Sequence, residues 1–185
     1  MSAAARSPAP DHEPREIRGL AQHYLKDLIY GANDGIITTF AVVAGVAGAA
    51  LEPSIVLILG FANLLADGFS MGASNFLAIR SDEAVRRAAG DGVLEPFPAR
   101  HAVATFVAFV VAGVVPLASY VVTIAVDRFA MAVVLTLTTL FGVGAARALV
   151  TDSRWWRSGL EMLSVGSIAA AVAYSVGAFV HSLTG

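Results

Sequence analysis

Cysteine is absent from the 185 residues, which removes disulfides and thiolate metal ligation and leaves the redox compartment unread. Charge is scarce too. Charged residues make up 14% of the chain against 57% apolar, and the mean hydropathy is +0.72, a balance that excludes both an ordinary soluble domain and a disordered one. The net charge of -2, with no basic patch, argues against a nucleic-acid partner. Histidine is limited to His12, His23, His101 and His181, which precede the membrane or fall at span ends, so a His-based metal site is disfavoured. Lysine occurs once against eleven arginines, a usage that points to a GC-rich bacterial genome and to a bacterial cytoplasmic membrane rather than a vacuole. Residues 1–13 have no apolar core and no cleavage pattern, so they read as a disordered tail and not as a signal peptide.

What remains is an integral membrane protein. A span needs about 20 mostly apolar residues at about 1.5 Å each, and five stretches qualify. They run Ile29 to Leu51, Ser54 to Ile79, His101 to Ile124, Phe129 to Leu149 and Gly159 to Leu183. Glu52-Pro53 and Asp127-Arg128 are short links that make antiparallel hairpins of the first and second pairs, and Pro116 is expected to kink the third span. The basic residues Arg6, Arg15, Arg18, Lys26, Arg80, Arg86, Arg87, Arg100, Arg147, Arg154 and Arg157 then share one side, with Arg128 alone on the other. The positive-inside rule places the N-terminus in the cytoplasm and the C-terminus outside. The fold class is therefore all-α, a single five-helix transmembrane domain over residues 29–185. Before it, residues 14–28 carry Ile17, Leu20, Ala21, Tyr24 and Leu28 at helical spacing, with Arg18, Gln22, Lys26 and Asp27 facing away. That pattern describes an interfacial amphipathic helix, or a first span that begins early. Trp155 and Trp156 read as a headgroup anchor.

Two aspartates, Asp34 and Asp67, lie inside these apolar runs. A carboxylate at a helix centre costs about 2.5–3.5 kcal/mol on insertion scales, so a retained one points to a pathway, although Asp34 near a helix start also suits a cap. Asn63, Asp67, Met71 and Asn75 recur at steps of four on the second span, flanked by Ser70 and Ser74. Gly68 and Gly72, like Gly31 and Gly35 on the first span, have the spacing that lets another backbone approach closely. Facing these stripes assembles carboxylate oxygens, an amide oxygen and a thioether around a metal ion, with Asp34, Asn63, Asp67 and Met71 as ligands. Oxygen with a thioether favours a divalent transition metal over Mg or Ca. Asn75, Ser70, Ser74 and Thr38 read as interhelical hydrogen-bond glue, and Glu161 reads as a solvated helix-start carboxylate before an entrance ligand.

Asn33-Asp34-Gly35-Ile36-Ile37-Thr38-Thr39-Phe40 with Ala44-Gly45-Val46-Ala47-Gly48, and Ala62-Asn63-Leu64-Leu65-Ala66-Asp67-Gly68-Phe69-Ser70-Met71-Gly72 with Asn75-Phe76-Leu77-Ala78, carry a resemblance. Over residues 25 to 80 the chain resembles the vacuolar iron transporter family, including its nodulin-like branch. The resemblance implies a five-helix homodimer that moves Fe2+, and often Mn2+, out of the cytosol in exchange for protons. It implies too that Asp34 and Met71 line the pathway, with metal as cargo and no resident cofactor. Vacuolar members carry a glutamate-rich cytosolic helical domain between spans two and three. Here that connection is only Arg80 to Arg100, so the chain resembles a short form, and Asp82, Glu83, Asp91 and Glu95 do not rebuild the domain. Where some members have a second-span Glu, Asn63 stands here, with Asp67 one turn on.

Three other readings compete. Gly68-Phe69-Ser70-Met71-Gly72 fits a nucleophile string, but that chemistry needs a strand-turn-helix elbow and a His partner, so the protein is not expected to be an enzyme. A dimeric membrane scaffold would use the polar stripe as glue, and a channel would move metal without proton coupling.

Overall fold

A computed structural model describes residues 17–122, 127–151 and 153–184. The expected tail, residues 1–13, lies outside these. The described residues form helices α1 (Ile17–His23), α2 (Leu25–Gly48), α3 (Pro53–Ala88), α4 (Pro98–Gly113), α5 (Ala118–Val121), α6 (Arg128–Thr151) and α7 (Trp155–Thr184), with one 3-10 turn, Val115–Leu117, between α4 and α5. Five helical stretches are long and apolar enough to cross a membrane: α2, α3, α4 through α5, α6 and α7. The protein is an all-α, multi-pass membrane protein.

α2 is the axis of the bundle. It packs against α3, α4, α6 and α7, and Ile36, Thr39, Phe40, Val43 and Ala44 on it are buried. Its contact with α4 is close because Gly31 and Gly35 bring no side chain there. A Cβ at Gly31 would stand 2.5 Å from the Thr105 carbonyl oxygen, and one at Gly35 would land on the carbonyl of Phe109. On α3, Gly68 and Gly72 press against Phe106 and Ala102, also of α4. The two small-residue faces do not bring α2 and α3 together, as the sequence suggested. Both seat α4, which wedges against each helix in turn.

The third span breaks where proline requires it. Pro116 has no amide hydrogen to continue the ladder, so α4 ends at Gly113, the chain makes one 3-10 turn and α5 resumes at Ala118. At the end of α2 the amide of Ala50 reaches the Ala47 carbonyl at 3.1 Å and that of Leu51 the Val46 carbonyl at 3.1 Å. This paired closure needs a left-handed residue, and Ala50 supplies it at φ 52°. Asp127 caps α6 by accepting the Ala130 amide at 2.7 Å.

Two departures concern the arginine-rich end. α3 runs 36 residues, about 54 Å, well beyond a hydrocarbon core of about 30 Å. The apolar stretch ends at Ile79, so Arg80–Ala88, expected as connection, instead continues α3 as helix beyond its apolar part. α1 meets α2 at Tyr24, whose backbone leaves the helical region at φ -93° and ψ 5°, while the bonds Tyr24 to Leu20 and Leu28 to Tyr24 bridge the break. That break changes which side chains face inward. Asp27, expected on the polar outer face, is buried.

Candidate metal pathway

Between α2 and α3 lies an open cleft of about 550 Å3. From α2 it is lined by Lys26, Asp27, Tyr30 and Asp34, and from α3 by Asp67, Ser70, Met71, Ser74, Asn75 and Ala78. Four-residue spacing on α3 stacks Asp67, Met71, Asn75 and, three further on, Ala78 down one wall. Seven-residue spacing on α2 does the same for Asp27 and Asp34. Asp34 and Asp67 thus open onto one space, Asp34 half-buried and Asp67 exposed at the rim. The Met71 thioether, half-buried one turn along, faces the same space.

Asn63 does not join them. It is not among the residues lining the cleft, and its amide nitrogen is buried without a hydrogen-bond partner among the described residues. Thr38 does not join them either: its hydroxyl donates back to the Asp34 carbonyl at 2.9 Å. Asn75, read as structural glue, earns that role. Its amide donates to Asp27 Oδ1 at 2.7 Å and to Thr105 Oγ1 at 2.8 Å, tying α3 to α2 and α4. Glu161 accepts from Arg147 Nη2 at 2.7 Å, across the α6–α7 corner and facing a different cavity. Ser70 lines the cleft from the middle of an uninterrupted helix, and none of the described histidines does.

The sequence reading missed a cluster at the arginine-rich end. His101, at the start of α4, is buried, with its Nδ1 2.6 Å from Asp27 Oδ2 and its Nε2 3.0 Å from Glu95 Oε2. His23 Nε2 approaches the same Glu95 oxygen at 3.5 Å, and the two imidazole centroids are 5.0 Å apart. Part of the signal was available: with five spans, the residues before span one and those opening span three, His23 and His101 among them, must share a side. Glu95 is held there by its own loop. Glu83, on the extension of α3, accepts the amides of Leu94 and Glu95 at 2.9 and 2.8 Å, and Arg86 reaches the Gly92 carbonyl. The Glu95 amide above all, then the Leu94 amide and Arg86 and Arg87, hold the Glu83 carboxyl below the ordinary glutamate range despite its burial.

The sequence model of the VIT family matches residues 25–95 and 90–178, two stretches that meet in the α3–α4 connection. The chain belongs to the VIT family. It is similar to vacuolar iron transporter 1 of Eucalyptus grandis, 26% identical over 226 aligned positions that cover 91% of each chain. It is also similar to vacuolar iron transporter 1 of Arabidopsis thaliana, 28% identical over 83% of this chain and 85% of that one. A shorter match, to the vacuolar iron transporter of Plasmodium berghei, is 46% identical over 61 residues, 33% of this chain and 22% of the relative. The Eucalyptus alignment is longer than the 185 residues present here, so that relative carries segments this VIT protein lacks.

Proposed function

We propose that this VIT protein moves a divalent transition metal, Fe2+ or Mn2+, out of the cytosol in exchange for protons, and that it works as a homodimer. One observation carries the reading: carboxylates from two different helices, Asp34 and Asp67, open with the Met71 thioether onto one cleft. Two oxygen donors and a soft sulfur suit Fe2+ and Mn2+, whereas a thioether contributes nothing to Mg2+ or Ca2+. The names of the relatives, vacuolar iron transporters, agree on iron.

Exchange follows from the donors. A carboxylate taken out of bulk water binds either a proton or a cation, and a metal arriving at the same oxygens displaces the proton. Protons entering from the far side then release the metal. The dimer follows from the side of α3 that carries Asp67, whose side chain is exposed. Left against lipid, that carboxylate would cost about 2.5–3.5 kcal/mol, and a second copy on this face removes the cost. With the arginine-rich end in the cytosol, the cleft opens toward the metal's source, in a bacterial cytoplasmic membrane. Ser70 has no part in chemistry here, and Ser70→Ala should transport as the parent does.

Proteoliposomes given Fe2+, Mn2+ and Mg2+ side by side test this. Uptake of Fe2+ or Mn2+ that rises with an imposed proton gradient, ignores Mg2+ and disappears in Asp34→Ala is expected. Flux indifferent to the gradient reduces the protein to a channel, and undiminished flux in Asp34→Ala removes the cleft from the pathway.

A further inference from the structure

We propose that His23, Glu95 and His101 form a second divalent transition-metal site, at the cytosolic mouth of the cleft and separate from Asp34 and Met71. One ligand atom from each of the three lies within 4.8 Å of the others. A tetrahedral ion with bonds of about 2.0–2.2 Å holds its ligand atoms about 3.3–3.6 Å apart. The separation from Glu95 Oε2 to His23, 3.5 Å, already lies in that range, and that to His101, 3.0 Å, falls just short of it. Only the His23–His101 distance needs to close, and His23 is 27% exposed at its side chain and has room to move.

The surroundings prepare His101 as a ligand. Asp27 stands against its Nδ1 at 2.6 Å, with both side chains 7% exposed. A carboxylate there holds the proton on Nδ1, so the Nε2 lone pair points at Glu95 and His23, the arrangement that orients metal-bound imidazoles generally. Asp27 is itself fixed by Asn75. Glu95 is fixed as well, because Glu83 binds its backbone amide. With its Nδ1 proton held by Asp27, the His101 Nε2 lone pair faces the Glu95 carboxylate oxygen at 3.0 Å, and a cation between them relieves that opposition. Two imidazoles with one carboxylate suit Mn2+, Fe2+, Co2+ or Zn2+ and reject Mg2+ and Ca2+, which prefer all-oxygen shells.

Asp27 belongs to both places: it orients His101 and lines the cleft that leads to Asp67 and Asp34. The site therefore stands where cytosolic metal is first held before it passes inward. That role rests on the transport reading; the binding does not.

The two are separated by measuring binding and flux on the full-length protein. In detergent, Asp34→Ala should still bind one Co2+ per chain, with the intense visible absorption of a four-coordinate ion that excess Mg2+ does not quench. Adding Glu95→Gln or His23→Gln, both at partly exposed side chains, should weaken that binding at least about tenfold and erase the band, while circular dichroism stays unchanged. Absence of Co2+ binding in Asp34→Ala, or unchanged affinity and spectrum in both added variants, overturns the proposal and leaves an ion-paired cluster that holds protons only. In proteoliposomes, Glu95→Gln alone should raise the metal concentration for half-maximal flux several-fold at unchanged maximal flux. Loss of the Co2+ band with unaltered flux would keep the site and remove its part in transport, whereas persistent flux in Asp34→Ala would sink the cleft reading and leave this site standing.

Discussion

α3 and α7 both present long outer faces, and they handle polar groups in opposite ways. On α7 the serines turn inward on their own helix: Ser164 donates to the Glu161 carbonyl at 2.8 Å, Ser167 to Leu163 at 2.8 Å and Ser175 to Ala171 at 2.7 Å. With these satisfied, the face shows Ile168, Val172, Val176 and Phe179 and is ready for lipid. On α3, Ser70 and Ser74 make no hydrogen bond among the described residues, and Asp67 stands exposed beside them. Groups left open on a membrane helix need water, an ion or a second protein surface. The serines of α7 close on their own helix, whereas Ser70 and Ser74 of α3 leave theirs open to the cleft.

The sharpest way to break that contrast is to exchange polar groups for alanine on each side. Asp67→Ala should lower metal flux at least about a hundredfold, in the range of about 3 kcal/mol lost at the transported ion, while Ser167→Ala on α7 changes flux less than twofold. Equal losses in the two variants, measured in proteoliposomes at matched protein density, would erase the distinction.

Glycines give the next test. Gly35→Ala drives a methyl into the Phe109 carbonyl and should cost about 1–3 kcal/mol, whereas a Cβ at Gly142 on α6 meets nothing within 4 Å. Gly142→Ala should stabilise by about 0.5–1 kcal/mol through helix propensity alone. Thermal unfolding in detergent should therefore move in opposite directions for the pair.

A smaller effect belongs to the α3–α4 connection. Because the folded Glu83 carboxyl lies below its unfolded value, its contribution is whole above the ordinary glutamate range and is lost as pH falls through the depressed folded value. Hydrogen exchange at the Leu94 and Glu95 amides should show protection at neutral pH that weakens below that range. Glu83→Ala should lack it at every pH. Smallest is the turn between α2 and α3, where Ala50→Gly should stabilise by about 1 kcal/mol by removing a Cβ from a left-handed residue, read as a small rise in Tm.

Hydropathy alone marked the five spans, since each is a single apolar run, and the break at Pro116 followed from a missing amide hydrogen. The convergence of Asp34, Asp67 and Met71 was legible from spacing, but the reason offered for it was not: the glycines seat α4 rather than joining α2 to α3. Periodicity placed Asn63 in the stripe because it counts turns and cannot see how α3 sits against its neighbours. The contacts of Asp27 and Glu95 were out of reach for other reasons. Asp27 turns inward because the backbone departs from the helix at Tyr24, which a continuous 3.6-residue pattern ignores. Glu95 reaches the two imidazoles only because a carboxylate twelve residues earlier gathers its loop, and no local pattern encodes that.

The 36-residue length of α3 makes it a lever. Its membrane half forms one wall of the cleft, and its outer end carries Glu83, which grips the loop bearing Glu95. Pivoting at the Pro53 end, a tilt of about 5° carries the tip about 5 Å, close to one helical pitch. A tilt of that kind would move the Glu83 end, and with it the loop bearing Glu95, several times further than the wall beside Asp67, because both sit on one unbroken helix.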